Sequence, residues 1–259
     1  MLNKQTKIFD LFVRLSSLVI FLLIWEFGSR IEIVSPLLFP PPSIIARALL
    51  EWIMKGEFLR DVKFSYYRMI IGFCLGGFIG IVSGLLTSRI VYIDLCFSPI
   101  IQMLRPLPPV AIIPLVIVWL GIGDISKIFS IAFAVFFPVW INTHLGASNI
   151  PSVYLWSSKI LCKSKITMVF KIFIPAILPS IVAGLRNAIS IAFIMVYVSE
   201  IAGASSGIGY QISVAHLAYR IDIMMASLLV LALAGATSDY IFSKCVLFIF
   251  PWMKKDGNK

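Results

Sequence analysis

Runs of about twenty apolar residues recur along this chain, and a segment of that kind has few folded options. In lipid it can stand as a helix, because the backbone then satisfies its own hydrogen bonds and the outside can stay apolar. Six candidate spans stand out, over residues 11–29, 69–87, 96–119, 128–147, 179–199 and 223–243. None alternates apolar and polar residues as a strand of a membrane barrel must. Of the 259 residues, 60% are hydrophobic and 13% charged, about half the ~25% charge of a soluble domain. Too little polar surface remains to cover a water-exposed fold. The expectation is an all-α, multi-pass membrane protein of about six transmembrane helices. No Gly/Ser linker divides it, so residues 1–259 read as one domain.

The net charge of +10 bears on orientation rather than on nucleic acid. No basic stripe interleaved with aromatics is present, so nucleic-acid binding is not expected. Basic residues gather in the N-terminal tail (Lys4, Lys7, Arg14), in the C-terminal tail (Lys254, Lys255, Lys259) and between the fourth and fifth runs (Lys159, Lys163, Lys165, Lys171). With six spans all three segments lie on one side, which the positive-inside rule makes cytoplasmic. Residues 30–68 fit this layout worst. They fall outside, yet they hold Arg30, Arg47, Lys55, Arg60, Lys63 and Arg68. The first run has the basic flank of a signal peptide, but Glu26-Phe27 interrupts the cleavage region, which favours a retained helix.

Local patterns sharpen this outline. Gly72, Gly76, Gly80 and Gly84 recur every fourth residue in the second run, so they share one helix face where another backbone can approach closely. Phe39-Pro40-Pro41-Pro42-Ser43 reads as an extended stretch with Ser43 as cap. Ile44, Ala48, Leu49 and Trp52 then mark an amphipathic interfacial helix to Met54.

Catalytic and metal chemistry find no foothold. His144 and His216 have no Glu or Cys at motif spacing, and Cys74, Cys96, Cys162 and Cys245 form no CxxC pair. No nucleotide-binding P-loop, serine elbow or zinc motif occurs. The chain is expected not to be an enzyme and to hold no cofactor or metal, so any ATP-driven step needs a partner that hydrolyses ATP. Polar residues at membrane depth are functional candidates by default. They are Arg105, Asn142, Thr143, Asn187 and Glu200, as a translocation pathway. Each has a structural alternative. Arg105 could pair with Asp94 or a carbonyl, Glu200 could be solvated at the outer mouth, and Asn142 and Thr143 could join helices. Arg186 could snorkel to the interface.

Residues 152–175, between the fourth and fifth runs, are too patterned for a plain turn. Val153, Trp156 and Ile160 form an apolar stripe, and Pro175 and Pro179 follow as a Pro-x-x-x-Pro break before the chain re-enters the membrane. An apolar stripe on a short exposed helix suits a partner's groove.

At this point the chain resembles a family, the binding-protein-dependent permease subunits of ABC importers, most of all the branch moving nitrate, sulfonates and taurine. Pro175, Pro179, Ile181, Gly184 and Leu185 match the second half of that family's cytoplasmic loop. Phe39 to Ser43, Arg105 to Leu115, Trp119 to Gly123, Phe137 to Thr143, Ser199-Glu200 and Ser206 to Tyr210 follow in the expected order. The first half of the loop departs. Trp156, Ser157 and Ser158 stand where Glu-Ala-Ala is expected, and Cys162 replaces a glycine.

The resemblance implies a type I ABC importer permease fold and a set of partners. These are two copies of a cytoplasmic ABC ATPase, a second permease subunit as a homodimer, an extracytoplasmic solute-binding protein and membrane lipid. It implies a coupling helix docking the ATPase through Trp156, Ser157, Ser158, Ile160, Cys162, Lys163 and Lys165, backed by Pro175, Pro179 and Gly184. The solute would be a small anion or zwitterion such as nitrate, a sulfonate or taurine, or a vitamin precursor. The location would be the cell's inner membrane, with both termini cytoplasmic. An ion-gradient-driven secondary transporter is the alternative, although no inverted repeat is evident and residues 106–109 are the single candidate break.

Overall fold

A computed structural model describes residues 4–31, 35, 37–150, 153, 168 and 172–255. The described residues are helical almost throughout: α1 (Lys4–Arg30), α2 (Pro42–Met54), α3 (Glu57–Arg89), α4 (Val91–Leu104), a 3-10 turn (Pro109–Ile112), α5 (Ile113–Leu120), α6 (Asp124–Ser148), α7 (Ile174–Ile201), α8 (Ile208–Leu217), α9 (Ile221–Ile249) and a closing 3-10 turn (Pro251–Lys255).

Helices α3, α6, α7 and α9 are each long and apolar enough to cross a membrane alone. The third expected run is not one straight helix. It is the pair α4 and residues 109–120, bent by 91°. Pro106, Pro108 and Pro109 supply no backbone N–H and the helix cannot pass through them. The first expected run lies in α1, whose Trp25 packs on the cluster of Ile45, Ala48, Ala215, Ile223 and Ala226 and whose Glu26 and Ser29 bond to Ser43 and Phe39.

The core is a three-helix stack of α3, α6 and α7. Helices α3 and α6 run parallel with their backbones in near contact, and the glycine row makes this possible. A Cβ at Gly72 would lie 2.7 Å from the Ile131 side chain, one at Gly76 would overlap the Ala132 carbonyl, and one at Gly84 would lie 2.8 Å from Thr143 Cβ. Helix α7 lies antiparallel on both. Gly146 faces Ser180, and Gly184 faces Asn142 and Pro138. Met69, Ile131, Val135, Val139, Ile189 and Val196 fill the space between them. Inside lipid this close packing, rather than expulsion of water, holds helices together.

Two local expectations are corrected. Ser43 does not cap α2: Pro41 is the cap residue and Pro42 opens the helix. The Ser43 N–H donates instead to the Glu26 carboxylate of α1 at 3.0 Å, so a neighbouring helix supplies the acceptor. The inner face of α2 is Ile45, Ala48 and Trp52, while Ile44 is 42% exposed. Pro175 and Pro179 do not break the chain either, because α7 is continuous from Ile174 through both. Pro175 lies in the first turn, where an N–H has no helical partner to lose.

Candidate functional site

The chain directions sort the bundle into two ends. One end collects α2, the starts of α3, α6 and α9, the end of α7, and α8. The other collects the ends of α3, α6 and α9 and the start of α7.

At the first end a buried ionic network joins four helices. Arg68, one turn before Gly72 of the glycine row, is 2% exposed. Its Nη1 donates to Glu200 Oε1 and to the Ser206 carbonyl, each at 2.7 Å. Its Nε donates to Asp124 Oδ1 at 2.7 Å, on the first residue of α6, where the helix dipole favours an acid. Glu200, on the last turn of α7, also accepts from Ser65 Oγ and from the Gly209 N–H.

Helix α8 starts on this network. Its leading N–H groups have no partner within the helix and find them on other elements. Gly207 N–H donates to Asp61 Oδ1 at 2.9 Å, Ile208 N–H to Ser65 Oγ at 2.9 Å, and Gly209 N–H to Glu200 Oε2 at 2.8 Å. Asp61 is held from its other side by Trp52 Nε1 of α2 at 3.2 Å. Gly207 sits at φ +129, and a Cβ there would overlap the Glu200 carboxylate. Lys127, 5% exposed, donates its Nζ protons to the Gly123 and Gly203 carbonyls. Three carboxylates, two cations and a helix start are thus gathered at this end, with the Asp124 side chain 42% exposed at its edge. The network fixes where α8 stands relative to the stack.

Glu200 is therefore not solvated at a mouth. It is 1% exposed and fully engaged. From the sequence, Arg68 stood out only as one of the cations of residues 30–68. The available signal was spacing, because Asp61, Ser65 and Arg68 continue the helix face that carries Gly72 and Gly76.

The remaining pathway candidates do not converge. Thr143 is buried against Gly84. Asn142 donates to the Pro138 carbonyl at 2.8 Å. It lines a polar cleft of about 330 Å³ with Asn149 and Ser180, between α6 and α7 at the second end. Asn187 and Arg105 are exposed. Arg105 forms no pair with Asp94, which accepts instead from Ser98 Oγ. Arg186 is bidentate with Asp239 of α9, at 2.8 and 2.9 Å.

The second end carries the approach to residues 152–175. Arg89, closing α3, donates to the Ala147 carbonyl at 2.8 Å and stacks over Phe173 at 4.4 Å. Pro175, Pro179 and Gly184 lie in the first half of α7. Trp156, Ser157, Ser158, Ile160, Cys162, Lys163 and Lys165 lie outside the described residues.

Comparison with known proteins bears on all of this. Residues 76–254 match the family of binding-protein-dependent transport system inner membrane components. A putative aliphatic sulfonates transport permease protein of Bacillus subtilis (strain 168) is 33% identical over 216 residues, covering 83% of this chain and 78% of that protein. The taurine transport system permease protein of Escherichia coli (strain K12) is 26% identical over 243 residues, covering 92% and 88%. A solved structure of the MetNI methionine ABC transporter in inward-facing conformations superposes with a TM-score of 0.62. It is 19% identical and covers 74% of this chain and 96% of that one.

Proposed function

The chain belongs to the family of binding-protein-dependent transport system inner membrane components, and from that membership we propose that it is the membrane-spanning subunit of an ATP-driven importer for a small anionic or zwitterionic solute. The observation that carries this reading is the arrangement at the second end. Helices α6 and α7 are locked together through Gly146–Ser180 and Gly184–Asn142, and residues 149–173 join them there, with four lysines and an apolar stripe in the sequence.

In this reading the coupling segment faces the cytoplasm with both termini and docks on an ABC ATPase through Trp156 and Ile160. A tryptophan filling an apolar pocket on the partner replaces the polar contact of the usual glutamate. Because α6 and α7 touch closely at Gly146–Ser180 and Gly184–Asn142, a push on their junction moves the stack as a body, the kind of two-state motion a bound nucleotide can bias. A second copy of the chain completes the pathway, and an external binding protein delivers the solute. Helix α1 completes six crossings. The sulfonate and taurine permeases among the relatives support an oxyanionic solute.

The test is co-purification and transport together. The chain, co-expressed with a candidate ABC ATPase from the same organism, should pull that ATPase down from detergent, and Trp156→Ala should reduce recovery several-fold. Solute uptake by the chain alone, driven by an ion gradient without the ATPase, sinks the reading. So does labelling that places residues 152–172 on the outer face.

A further inference from the structure

The polar group least accounted for is Arg105. It closes α4, at the 91° bend into residues 109–120. Its height in the bundle follows from its neighbours. Ile101, one turn earlier, packs on Phe137 and Trp140, at the middle of the 25-residue α6. Ile113, just after the bend, joins the cluster of Ile131 and Val135. The bend is held between these levels. Helix α6 is ~37 Å long against a hydrocarbon core of about 30 Å, so Arg105 stands near the bilayer midplane.

There it is exposed. Among the described residues it makes no ion pair or side-chain hydrogen bond. A guanidinium does not deprotonate in a protein, so unlike a lysine it cannot shed its charge to enter lipid. A permanent cation at this depth needs water or an anion facing it. Gln102, also exposed, lies three residues back on the same helix face and adds an amide donor.

We propose that Arg105, with Gln102 beside it, is the midpoint contact for an oxyanionic group of the solute, on a face of α4 that looks into water and not onto lipid. The proposal rests on the importer reading above. The guanidinium fork pairs two N–H donors with two oxygens of a sulfonate or carboxylate, and the three prolines of the bend fix the end of α4 so that the fork is presented from a rigid corner.

Two measurements test it. First, the complete transporter in proteoliposomes is assayed for ATP-driven uptake of taurine and ethanesulfonate. Arg105→Gln should lower uptake by about tenfold or more, the loss of one charge-assisted contact. Arg105→Lys should retain an intermediate rate, with the yield of assembled complex as the folding control. Uptake by Arg105→Gln within about twofold of the parent overturns the proposal. So does a parent that imports neutral or cationic solutes only, an outcome that leaves the importer reading standing. Absence of any dependence on the ATPase sinks the importer reading itself.

Second, Gln102→Cys is made in the full-length chain with its four native cysteines replaced by serine, and labelled in membranes. This arm needs no known solute. An anionic methanethiosulfonate should react about fivefold faster than a cationic one because of the neighbouring guanidinium, and Arg105→Gln should abolish the preference. Labelling by a lipid-soluble maleimide alone, or equal rates for the two charged reagents, overturns the proposal.

Discussion

Arg68 and Glu200 meet at 2.7 Å with side chains 3% and 0% exposed, so the first third of α3 is tied to the last turn of α7 by an ion pair sealed from solvent. Removing one partner of a buried pair strands the other, at a cost of about 3–5 kcal/mol. Arg68→Ala strands the buried Glu200 and also unpairs Asp124, whose side chain is 42% exposed, and should lower the apparent melting temperature of the purified chain in detergent more than Glu200→Gln does. The glutamine keeps the shape and one acceptor oxygen. The double variant Arg68→Ala/Glu200→Ala should lose less than the two singles together. Strict additivity would mean that the pair does not act as a unit.

The glycine row gives a second expectation. Gly76→Val would drive its side chain into the Ala132 carbonyl, which is backbone and cannot rotate away. Overpacking of this kind costs about 1–3 kcal/mol or more, and here it also pries α3 from α6. The folded, monodisperse yield should fall sharply. Gly28→Ala, with nothing within 4 Å, should match the parent. Equal yields for the two variants would show that the helices are not in contact along this face.

Backbone conformation separates two other glycines. Gly121 sits at φ +78 in open space, and Gly207 at φ +129 against the Glu200 carboxylate. Alanine at 121 should cost only the conformational strain, ~1–3 kcal/mol. At 207 the same strain is joined by displacement of Glu200 and loss of the bonds that start α8. The fall in melting temperature should therefore be clearly larger at 207. In a background carrying Glu200→Ala, which empties the space, the excess should shrink.

Legibility in the sequence tracked the range of the interactions. The long apolar helices and the glycine row are local patterns, readable because helical period acts within a few residues; the proline corner is equally local, but the third run reads as one span in the sequence and is bent by 91°. The ionic network was not readable, since Arg68 finds Glu200 and Ser206 more than 130 positions away. Residues 30–68 hold six cations in the sequence. Arg30 is paired with Glu26 and Arg68 is neutralised inside the network, so two of the six cations there do not act as free charges. Ser43 misled for the same reason: the acceptor that caps α2 comes from Glu26, seventeen residues back.

The pair Arg186–Asp239 decides between two accounts of an arginine at membrane depth. An arginine that merely snorkels would reach the interface alone and be indifferent to its neighbour. Here both guanidinium contacts fall on one carboxylate of α9, and α9 otherwise meets the stack through the Tyr66 hydroxyl, which donates to the Ala234 carbonyl and accepts from Ser238 Oγ, and through small contacts such as Gly235 on Phe193. The side chains are 58% and 32% exposed, so in water the pair would be worth no more than ~1 kcal/mol. Facing lipid, screening is weaker and a lone charge is dearer. Asp239→Asn and Arg186→Gln should each reduce the stability of the chain in bilayers more than in detergent. The exchanged pair Arg186→Asp/Asp239→Arg should recover most of the loss. An Asp239→Asn variant as stable as the parent in both media would favour snorkelling and remove this link between α7 and α9.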